Sequence, residues 1–416
     1  MSDYLKIAII GAAGGMGESY AKAFAEKGHQ VYASDVNYNG LRKLKHTNIT
    51  NFRSAGKAMR DADLVIYSTP IAKTPGIIAR TIRYAKPGSI LGGFTSVKTS
   101  EVGALRKAKG SVNLVTFHPL HAPTPNLVGH TVAIVPIRAN PDAIKTAKKV
   151  FAGLGIKTYS ISAAKHDEAM ADTQALTHFT LLSMALAWKM RNILPDESTH
   201  YSTNLDKLKA DMALRILAMN PDVYAGIAML NPRVPPQIKE YVKTLNEISA
   251  AIQTSDTKKL GTMWREATDF LGRRTISKAR GELESVLKSK YNQAADSNSQ
   301  ISLLAMALAW KKLGIRPSKV KALQTPPYKV RSLLVHTAVS GNSNHYTENA
   351  FKSPNTLGQD DLAFIAAANT WMQVIEKGDL ESYKRLFEKT REFFGPERIA
   401  GAKSRTDAII RKMLHK

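Results

Sequence analysis

A cluster of glycines near the start of the chain forms a pattern that is typical of a phosphate-binding turn. It lies between a short apolar run and a helical pattern. Glycines at such a turn let the backbone fold tightly and approach a pyrophosphate, which the free N–H groups and the dipole of the following helix attract. A glycine-rich turn without a nucleotide is the alternative. The residues are Gly11, Gly14, Gly15, Met16 and Gly17.

An acidic side chain, Asp35, follows the next apolar run, Gln30–Ala33. A carboxylate at this point accepts hydrogen bonds from the adenosine ribose hydroxyls and repels a 2′-phosphate. We therefore expect NAD as the cofactor, although the nearby Arg42 keeps NADP open. The three residues after a later apolar run are predicted to touch the same dinucleotide, because the carboxyl ends of strands line the cofactor crevice. They are Ser68, Thr69 and Pro70.

Three polar side chains, Ser96, Lys98 and His118, each follow a predicted strand on the same edge of the sheet. A histidine titrates near neutral pH, so His118 is suited to take a proton from a substrate hydroxyl while hydride leaves the same carbon. A buried structural histidine is the alternative at this position.

Further candidates lie in the helical part of the chain. Gln174 and His178 are four residues apart, so they share one helix face. Arg215 is a lone arginine in a strongly apolar stretch, and its guanidinium needs a partner. A substrate carboxylate and an internal Asp or Glu are equally good partners for it. Neither an H-E-x-x-H motif nor paired carboxylates appear, so we expect no metal site.

These residues belong to a predicted α/β domain that is followed by helices. Short apolar runs alternate with helical patterns up to about residue 160, which predicts a Rossmann-type, mostly parallel, doubly wound sheet. From His166 onward the pattern is helical almost throughout. The apolar runs begin at Leu5, Gln30, Leu64, Ser89, Leu114 and Thr131.

The helical part repeats itself. The segment Leu181–Lys189 recurs as Leu303–Lys311, an offset of 122, and Trp264–Gly272 resembles Phe387–Gly395, an offset of 123. Two matches in the same order favour a duplicated all-helical domain over chance similarity between amphipathic helices. We therefore predict three domains. They cover residues 1–162, 163–290 and 291–416, and the join between the two helical copies lies at 288–300.

The composition is that of a globular protein, with 416 residues of which 44% are hydrophobic and 22% charged. The absence of cysteine excludes disulfides and thiolate chemistry. The net charge of +25 is spread along the chain, which indicates a solvated basic surface that also attracts anionic substrates. We see no secretion signal and no membrane span, so we expect a cytoplasmic protein with no membrane or nucleic-acid partner.

Taken together, the motifs resemble those of the prephenate dehydrogenase family. The matching segments occur in the family's order over residues 5–272; they are IIGAAGGMG, DLVIYSTPI, TSVK, FHPL, HDEAMADTQALTHF and RILAMNPDVYAGI. The resemblance implies NAD-dependent oxidative decarboxylation of prephenate to 4-hydroxyphenylpyruvate in tyrosine biosynthesis. Arogenate dehydrogenase is the nearest alternative, and a nucleotide-sensing or nucleic-acid-binding protein on the same scaffold is the non-enzyme alternative.

The resemblance also assigns roles by position. His118 matches the catalytic histidine that draws off the hydroxyl proton, and Ser96 matches the serine that positions it. Arg215 matches the arginine that clamps the ring carboxylate. His121 stands where the family pattern has a small or apolar residue. The remaining substrate-binding candidates are His178, Gln174 and Lys98.

The second helical copy lies outside the family's usual single-unit arrangement. Family members dimerise through the helical domain, which implies a homodimer and also allows the fused copy to pack as an internal partner. At an offset of 122, the residues opposite the candidate substrate-binding side chains differ from them, so we infer that this copy is structural. Those opposite residues are Asp296, Gln300 and Thr337.

Overall fold

The chain folds into two compact units, Met1–Met170 and Ala171–Lys416. The computed structural model describes residues 4–197, 204–287, 300–316, 326–340 and 358–414. The first unit is built on a sheet and the second is helical, as the sequence predicts. Most of the predicted join between the two helical copies, including Asp296, lies outside the described residues.

Eight strands form the sheet of the first unit. They are β1 (Lys6–Ile10), β2 (Gln30–Ser34), β3 (Ile49–Phe52), β4 (Leu64–Tyr67), β5 (Ile90–Gly93), β6 (Asn113–Pro119), β7 (Thr131–Arg138) and β8 (Lys157–Ser160). Their order is β3-β2-β1-β4-β5-β6-β7-β8. Neighbouring strands are parallel except for the antiparallel pair β6 and β7. The predicted doubly wound, mostly parallel sheet is therefore confirmed.

Helices cover both faces of this sheet. Ile7 and Ile9 of β1 pack into one hydrophobic core, and the alternate residues Ala8 and Ile10 pack into another on the opposite face. Burial on both faces explains why the central strands are continuous apolar runs in the sequence. The helices of this unit are α1 (Gly15–Glu26), α2 (Tyr38–Leu41), α3 (Ala55–Met59), α4 (Thr74–Thr81), α5 (Lys98–Leu105), α6 (Pro141–Ala152) and α7 (Ala163–Met170).

Two strands, β3 and β8, escape the sequence analysis. Both are four-residue edge strands. None of their eight residues is fully buried, so neither strand needs an apolar run. Without such a run the sequence carries no strand signal at these positions.

The second unit opens with a π-helical turn, Ala171–Ala175, and is otherwise α-helical. Its helices are α8 (Leu176–Met190), α9 (Asn204–Leu217), α10 (Pro221–Leu230), α11 (Val234–Gln253), α12 (Thr257–Leu271), α13 (Arg273–Leu287), α14 (Ile301–Leu313), α15 (Pro326–Ala338), α16 (Gln359–Glu376), α17 (Leu380–Phe394) and α18 (Pro396–Leu414). Within the described ranges, none of the helices of the chain is long and apolar enough to cross a membrane.

The two predicted helical copies pack reciprocally within this unit. Helix α8 of the first copy packs on α16 of the second, and the corresponding α14 packs on α11. In the same way α9 packs on α18, and α15 packs on α13. The predicted boundary near residue 290 therefore does not separate two compact bodies, and the division into three domains stays a prediction.

The helix ends repeat along with the helices. Helices α12 and α17 have bounds that differ by 123 at both ends. Each begins after a capping aspartate, Asp256 or Asp379, and ends at a glycine with positive φ, Gly272 or Gly395. These recurrences support the predicted duplication, which stays a prediction because nothing else tests it.

We predict that Gly272→Ala and Gly395→Ala destabilise the protein by similar amounts. The two glycines have φ of +80° and +73° with ψ of 124° and 160°, a region that L-residues avoid, while neither site offers a steric clash. Each substitution should lower the free energy of unfolding by about 2 kcal/mol. Denaturant unfolding followed by circular dichroism measures this.

Gly281 provides the matched control, since it lies inside α13 with ordinary φ and with open space around its Cα. Gly281→Ala should raise the free energy of unfolding by about 0.5–1 kcal/mol. A loss at Gly281 equal to that at Gly272 would contradict the assignment of the effect to backbone conformation.

Candidate active site

The glycine-rich loop joins β1 to α1 at the carboxyl edge of the sheet. Gly11 has φ +93°, and a Cβ on it would lie 2.3 Å from the carbonyl oxygen of Ser68. A Cβ on Gly17 would lie 2.2 Å from the Gly11 carbonyl oxygen. The fold itself therefore requires glycine at both positions.

Gly14 is different, because packing within the chain does not require glycine there. A Cβ on Gly14 would have one neighbour, at 3.5 Å. Gly14 is also the N-cap of α1 and offers no side-chain cap to the first-turn N–H groups. A Cβ would fill the space directly before those donors, so the loop fits a phosphate group that approaches the backbone closely.

The neighbouring polar residues lie where the sequence predicts them. Asp35 follows β2, and its carboxylate accepts hydrogen bonds from the amides of Ala13 (3.0 Å) and Asn37 (2.8 Å). Ser68 follows β4, and its amide donates to Ile10 O at 2.7 Å. The predicted cofactor residues of β1, β2 and β4 are therefore brought together at one edge.

A chain of three side chains lies at the end of β6. Nδ1 of His118 is 2.9 Å from Nε2 of His166, and Nδ1 of His166 is 2.9 Å from Oδ1 of Asp167. Asp167 also accepts from the amides of Lys98 (2.7 Å) and Thr99 (2.8 Å) and from the Thr99 hydroxyl (2.6 Å). The carboxylate is thus fixed from several sides.

Burial controls the charge of this chain. Burial first, and then the positive charges of His166 and Lys98, hold the pKa of His118 well below its ordinary value. Burial also lowers the pKa of His166, against the hydrogen bond to Asp167. Burial alone would raise the pKa of Asp167, but its hydrogen bonds hold that pKa below the usual range. At neutral pH both imidazoles are therefore neutral and the carboxylate is ionised.

These charges fix the positions of the protons. The Asp167 carboxylate can only accept, so the hydrogen of His166 is on Nδ1 and its Nε2 accepts from Nδ1–H of His118. The Nε2 atom of His118 then carries a lone pair. Among the described residues, none forms a hydrogen bond with that atom, so the chain leaves it available as a base.

Lys98 has a different place from the one that the sequence suggests. Its side chain is fully buried, and Nζ donates to Phe117 O (2.7 Å), Thr116 Oγ1 (3.0 Å) and Gly93 O (3.2 Å) and pairs with Glu101 (3.3 Å). These acceptors use all three ammonium hydrogens. The prediction of Lys98 as a substrate-binding residue is therefore wrong; Lys98 instead anchors the carbonyl that precedes His118.

Ser96 and His121 complete the predicted residues of this unit. Ser96 is partly buried, and within the described part of the chain its hydroxyl bonds neither to His118 nor to another group. His121 packs on α1, with Nε2 accepting from the Tyr20 hydroxyl at 3.0 Å and Nδ1 donating to Ala122 O at 2.8 Å. Burial lowers the pKa of His121 to about 4, so His121 is a neutral packing residue.

The helical unit carries a second group of polar residues. His178 is buried on α8, and its ring packs on the ring of Tyr224 with centroids 4.6 Å apart. Nδ1 of His178 and Oε1 of Gln174 are buried without a hydrogen-bond partner. Arg331 lies beside them, with Nη1 donating to Thr177 Oγ1 at 2.8 Å. Burial and the charge of Arg331 hold the pKa of His178 well below its ordinary value.

Arg215 lies in the same unit and pairs with an internal carboxylate. Its Nη1 contacts Asp407 of α18 and lies 3.4 Å from Thr406 Oγ1. Asp407 pairs also with Lys403 at 2.7 Å. Of the two partners that the sequence left open for Arg215, the structure supplies the internal one.

Sequence reasoning misses three residues of these groups as candidates. His166 and Asp167 stand inside the segment HDEAMADTQALTHF, so a signal is present there, although Gln174 and His178 are the residues singled out from it. Arg331 lies outside residues 5–272, where no family motif points to it. Across the residues that the structure describes, no group of three His, Asp or Glu side chains is arranged to hold a metal ion.

Comparison with known families and proteins agrees with this architecture. A family model described as a 6-phosphogluconate dehydrogenase C-terminal domain matches residues 175–415. The model for NADP oxidoreductase, coenzyme F420-dependent, matches residues 6–91. The first covers more than half of the chain and includes both helical segments.

Full-length relatives extend the likeness to the whole chain. A Schizosaccharomyces pombe protein named as a probable prephenate dehydrogenase for NADP(+) is 28% identical and aligns with 100% of this chain and 99% of its own length. A prephenate dehydrogenase for NADP(+) from Saccharomyces cerevisiae is 28% identical over 94% of this chain and 90% of its own. A Corynebacterium glutamicum structure described as a candidate prephenate dehydrogenase has a TM-score of 0.50 at 15% identity, over 59% of this chain and 82% of its own, and shows the shared fold.

A glycine loop on a doubly wound sheet, a neutral histidine at its carboxyl edge and a helical second unit define the class of two-domain dehydrogenases. The chain belongs to the family that this 6-phosphogluconate dehydrogenase C-terminal domain defines. The resemblance to prephenate dehydrogenases that the sequence motifs carry is confirmed by the full-length relatives.

We predict that Lys98→Met strongly destabilises the protein, because it leaves the buried Glu101 carboxylate without its cation. Removing one partner of a buried ion pair costs about 3–5 kcal/mol. The double variant Lys98→Met/Glu101→Gln should recover most of this loss. Unfolding in denaturant measures both, and a Lys98→Met variant as stable as the natural protein would contradict the anchoring role.

Proposed function

We propose that this protein is a prephenate dehydrogenase that oxidises and decarboxylates prephenate to 4-hydroxyphenylpyruvate. The observation that carries the proposal is the chain from Asp167 through His166 to His118, which leaves one imidazole nitrogen free as a base. The full-length relatives supply the substrate class.

In this proposal Nε2 of His118 accepts the proton of the ring hydroxyl. A nicotinamide dinucleotide, when bound, accepts the hydride from the carbon that bears this hydroxyl. The bond between the ring and its carboxylate then breaks, and carbon dioxide leaves as the ring becomes aromatic. His118 returns the proton to the oxygen, so the phenol forms with no net change in the protonation of the protein.

The proton positions favour this role. When His118 accepts a proton, the new imidazolium donates through Nδ1 to His166, which is oriented by the ionised Asp167. A carboxylate that orients and stabilises a histidine in this way is a recurring catalytic arrangement. Ser96 remains a proposed positioning residue for the hydroxyl.

The glycine loop is the proposed site of the dinucleotide pyrophosphate, and the residues present fit it. Gly14 leaves room for a phosphate before the N–H groups of Gly15 and Met16. We propose NAD as the preferred form, because Asp35 is held at the ribose position by two amides and would repel a 2′-phosphate. NADP is the second candidate, favoured by the names of the two yeast relatives.

Arogenate dehydrogenase is the second candidate function, because the two substrates differ in one side-chain group that no described residue discriminates. A homodimer through the helical unit and a cytoplasmic location are carried over from the family resemblance.

The test of the function is nicotinamide reduction, followed by absorbance, with prephenate or arogenate and with NAD or NADP. We expect turnover with prephenate, and a loss of at least roughly 100-fold in kcat in His118→Asn, because the variant has no base. His121→Asn is the matched control on the same strand end and should keep kcat. Turnover with arogenate alone would change the substrate, and no turnover with any pair would contradict the proposal.

The pH dependence of kcat/KM follows from the lowered pKa of His118. The neutral imidazole is the active form, so the rate should rise with pH through a midpoint below the ordinary histidine value of about 6.5 and stay level above it. Because Asp167 stabilises the charged form, Asp167→Asn should move the midpoint further down and lower the plateau. A midpoint at or above that ordinary value in the natural protein would contradict a buried neutral base.

A further inference from the structure

Arg331 is a cation without an anion. It lies in α15, in the second helical copy, and is partly buried. Its hydrogen bonds go to the Thr177 hydroxyl (2.8 Å) and the Pro327 carbonyl (3.1 Å). Within the described ranges, no carboxylate forms an ion pair with it. A half-buried guanidinium in this state has donors left for a ligand.

The polar atoms near Arg331 also lack partners. Nδ1 of His178 and Oε1 of Gln174 are buried and unsatisfied, although more than nine-tenths of the His178 side chain is buried. Buried polar atoms are rarely left without a partner unless a ligand supplies one. The cavity beside His178 and Tyr224 is lined in part by Trp371 and Tyr383, which belong to the second copy.

A comparison of the two copies shows what is special about this place. At the repeat offset of 122, Lys209 corresponds to Arg331 and Gln300 to His178. Nζ of Lys209 donates to Gln300 Oε1 at 2.9 Å, as Arg331 donates to Thr177, the neighbour of His178. The two cations therefore occupy corresponding positions, each reaching from one copy to the first helix of the other.

The two positions differ in their counter-charge. Lys209 pairs with Asp206 at 2.7 Å, and both side chains are almost fully buried. Tyr328 stands where Asp206 would recur. The chain thus neutralises its own cation at one position and leaves the other cation uncompensated, beside unsatisfied polar atoms.

We propose that Arg331 binds a carboxylate of the substrate, so that the second helical copy contributes to the substrate site. This proposal rests on the proposed function, since prephenate carries two carboxylates. A guanidinium fits a carboxylate through two parallel hydrogen bonds. Arg215 already pairs with Asp407, so Arg331 is the cation with unused charge. The second copy then does more than support the fold, contrary to the expectation from its sequence.

The test compares Arg331→Gln, which keeps a donor for Thr177 but removes the charge, with Arg331→Lys, which keeps the charge. Loss of a charged hydrogen bond should raise KM for prephenate about 10- to 100-fold in Arg331→Gln, with KM for the nucleotide unchanged. Arg331→Lys should recover much of this loss. Arg405→Ala is the control, since it removes an arginine of the same copy whose partner is Asp211.

Calorimetric titration of prephenate into each variant, without nucleotide, separates binding from turnover, and thermal unfolding confirms that each variant is folded. The proposal is overturned if Arg331→Gln binds and converts prephenate like the natural protein, and in that case the proposed function stands. If the natural protein itself neither binds nor converts prephenate, both fail. Weakened binding in the Gln variant with recovery in the Lys variant supports the proposal.

Discussion

The ionised carboxylate of Asp167 is the constraint on which the rest of the catalytic apparatus depends. It accepts hydrogen bonds from two amides and a hydroxyl at the start of α5, and these bonds keep it charged in spite of burial. Because it can only accept, it fixes the tautomer of His166 and through it that of His118. One carboxylate thus determines which nitrogen of His118 is the base.

The same strand end shows how buried charge and backbone are combined. Lys98 and Glu101 form a buried pair whose hydrogen bonds reach the carbonyl of Phe117, directly before His118. A lysine in this place holds β6 and α5 together and also adds a positive charge that keeps His118 neutral. Its position explains why a residue that follows a strand at the functional edge need not touch a ligand.

The helical unit combines two similar copies with unequal polar residues. Reciprocal packing of α8 on α16 and of α14 on α11 gives each copy access to the first helix of the other. Lys209 with Asp206 closes one of the corresponding positions, and Arg331 with Tyr328 leaves the other open. A duplication therefore need not leave one half inert, because a single change in counter-charge gives the two positions different roles.

The sequence predicts the parts of this molecule that are set by local patterns. Strands buried on both faces are continuous apolar runs, so six of the eight are recognisable, while the half-exposed edge strands β3 and β8 carry no such signal. The glycine loop and Asp35 follow from spacing. The roles of Lys98, His166 and Asp167 do not, because they depend on hydrogen bonds between residues up to 69 positions apart. Arg331 escapes sequence reasoning since its meaning depends on a partner that is absent.

The most direct test of this account is the protonation of the two histidines, measured by nitrogen NMR of protein labelled in its imidazoles. Spectra of His118→Asn and His166→Asn assign the signals. At neutral pH the account predicts that both rings are neutral and that both carry their hydrogen on Nδ1. A charged His118, or a His118 with its hydrogen on Nε2, would contradict it, because the nitrogen required as the base would already hold a proton.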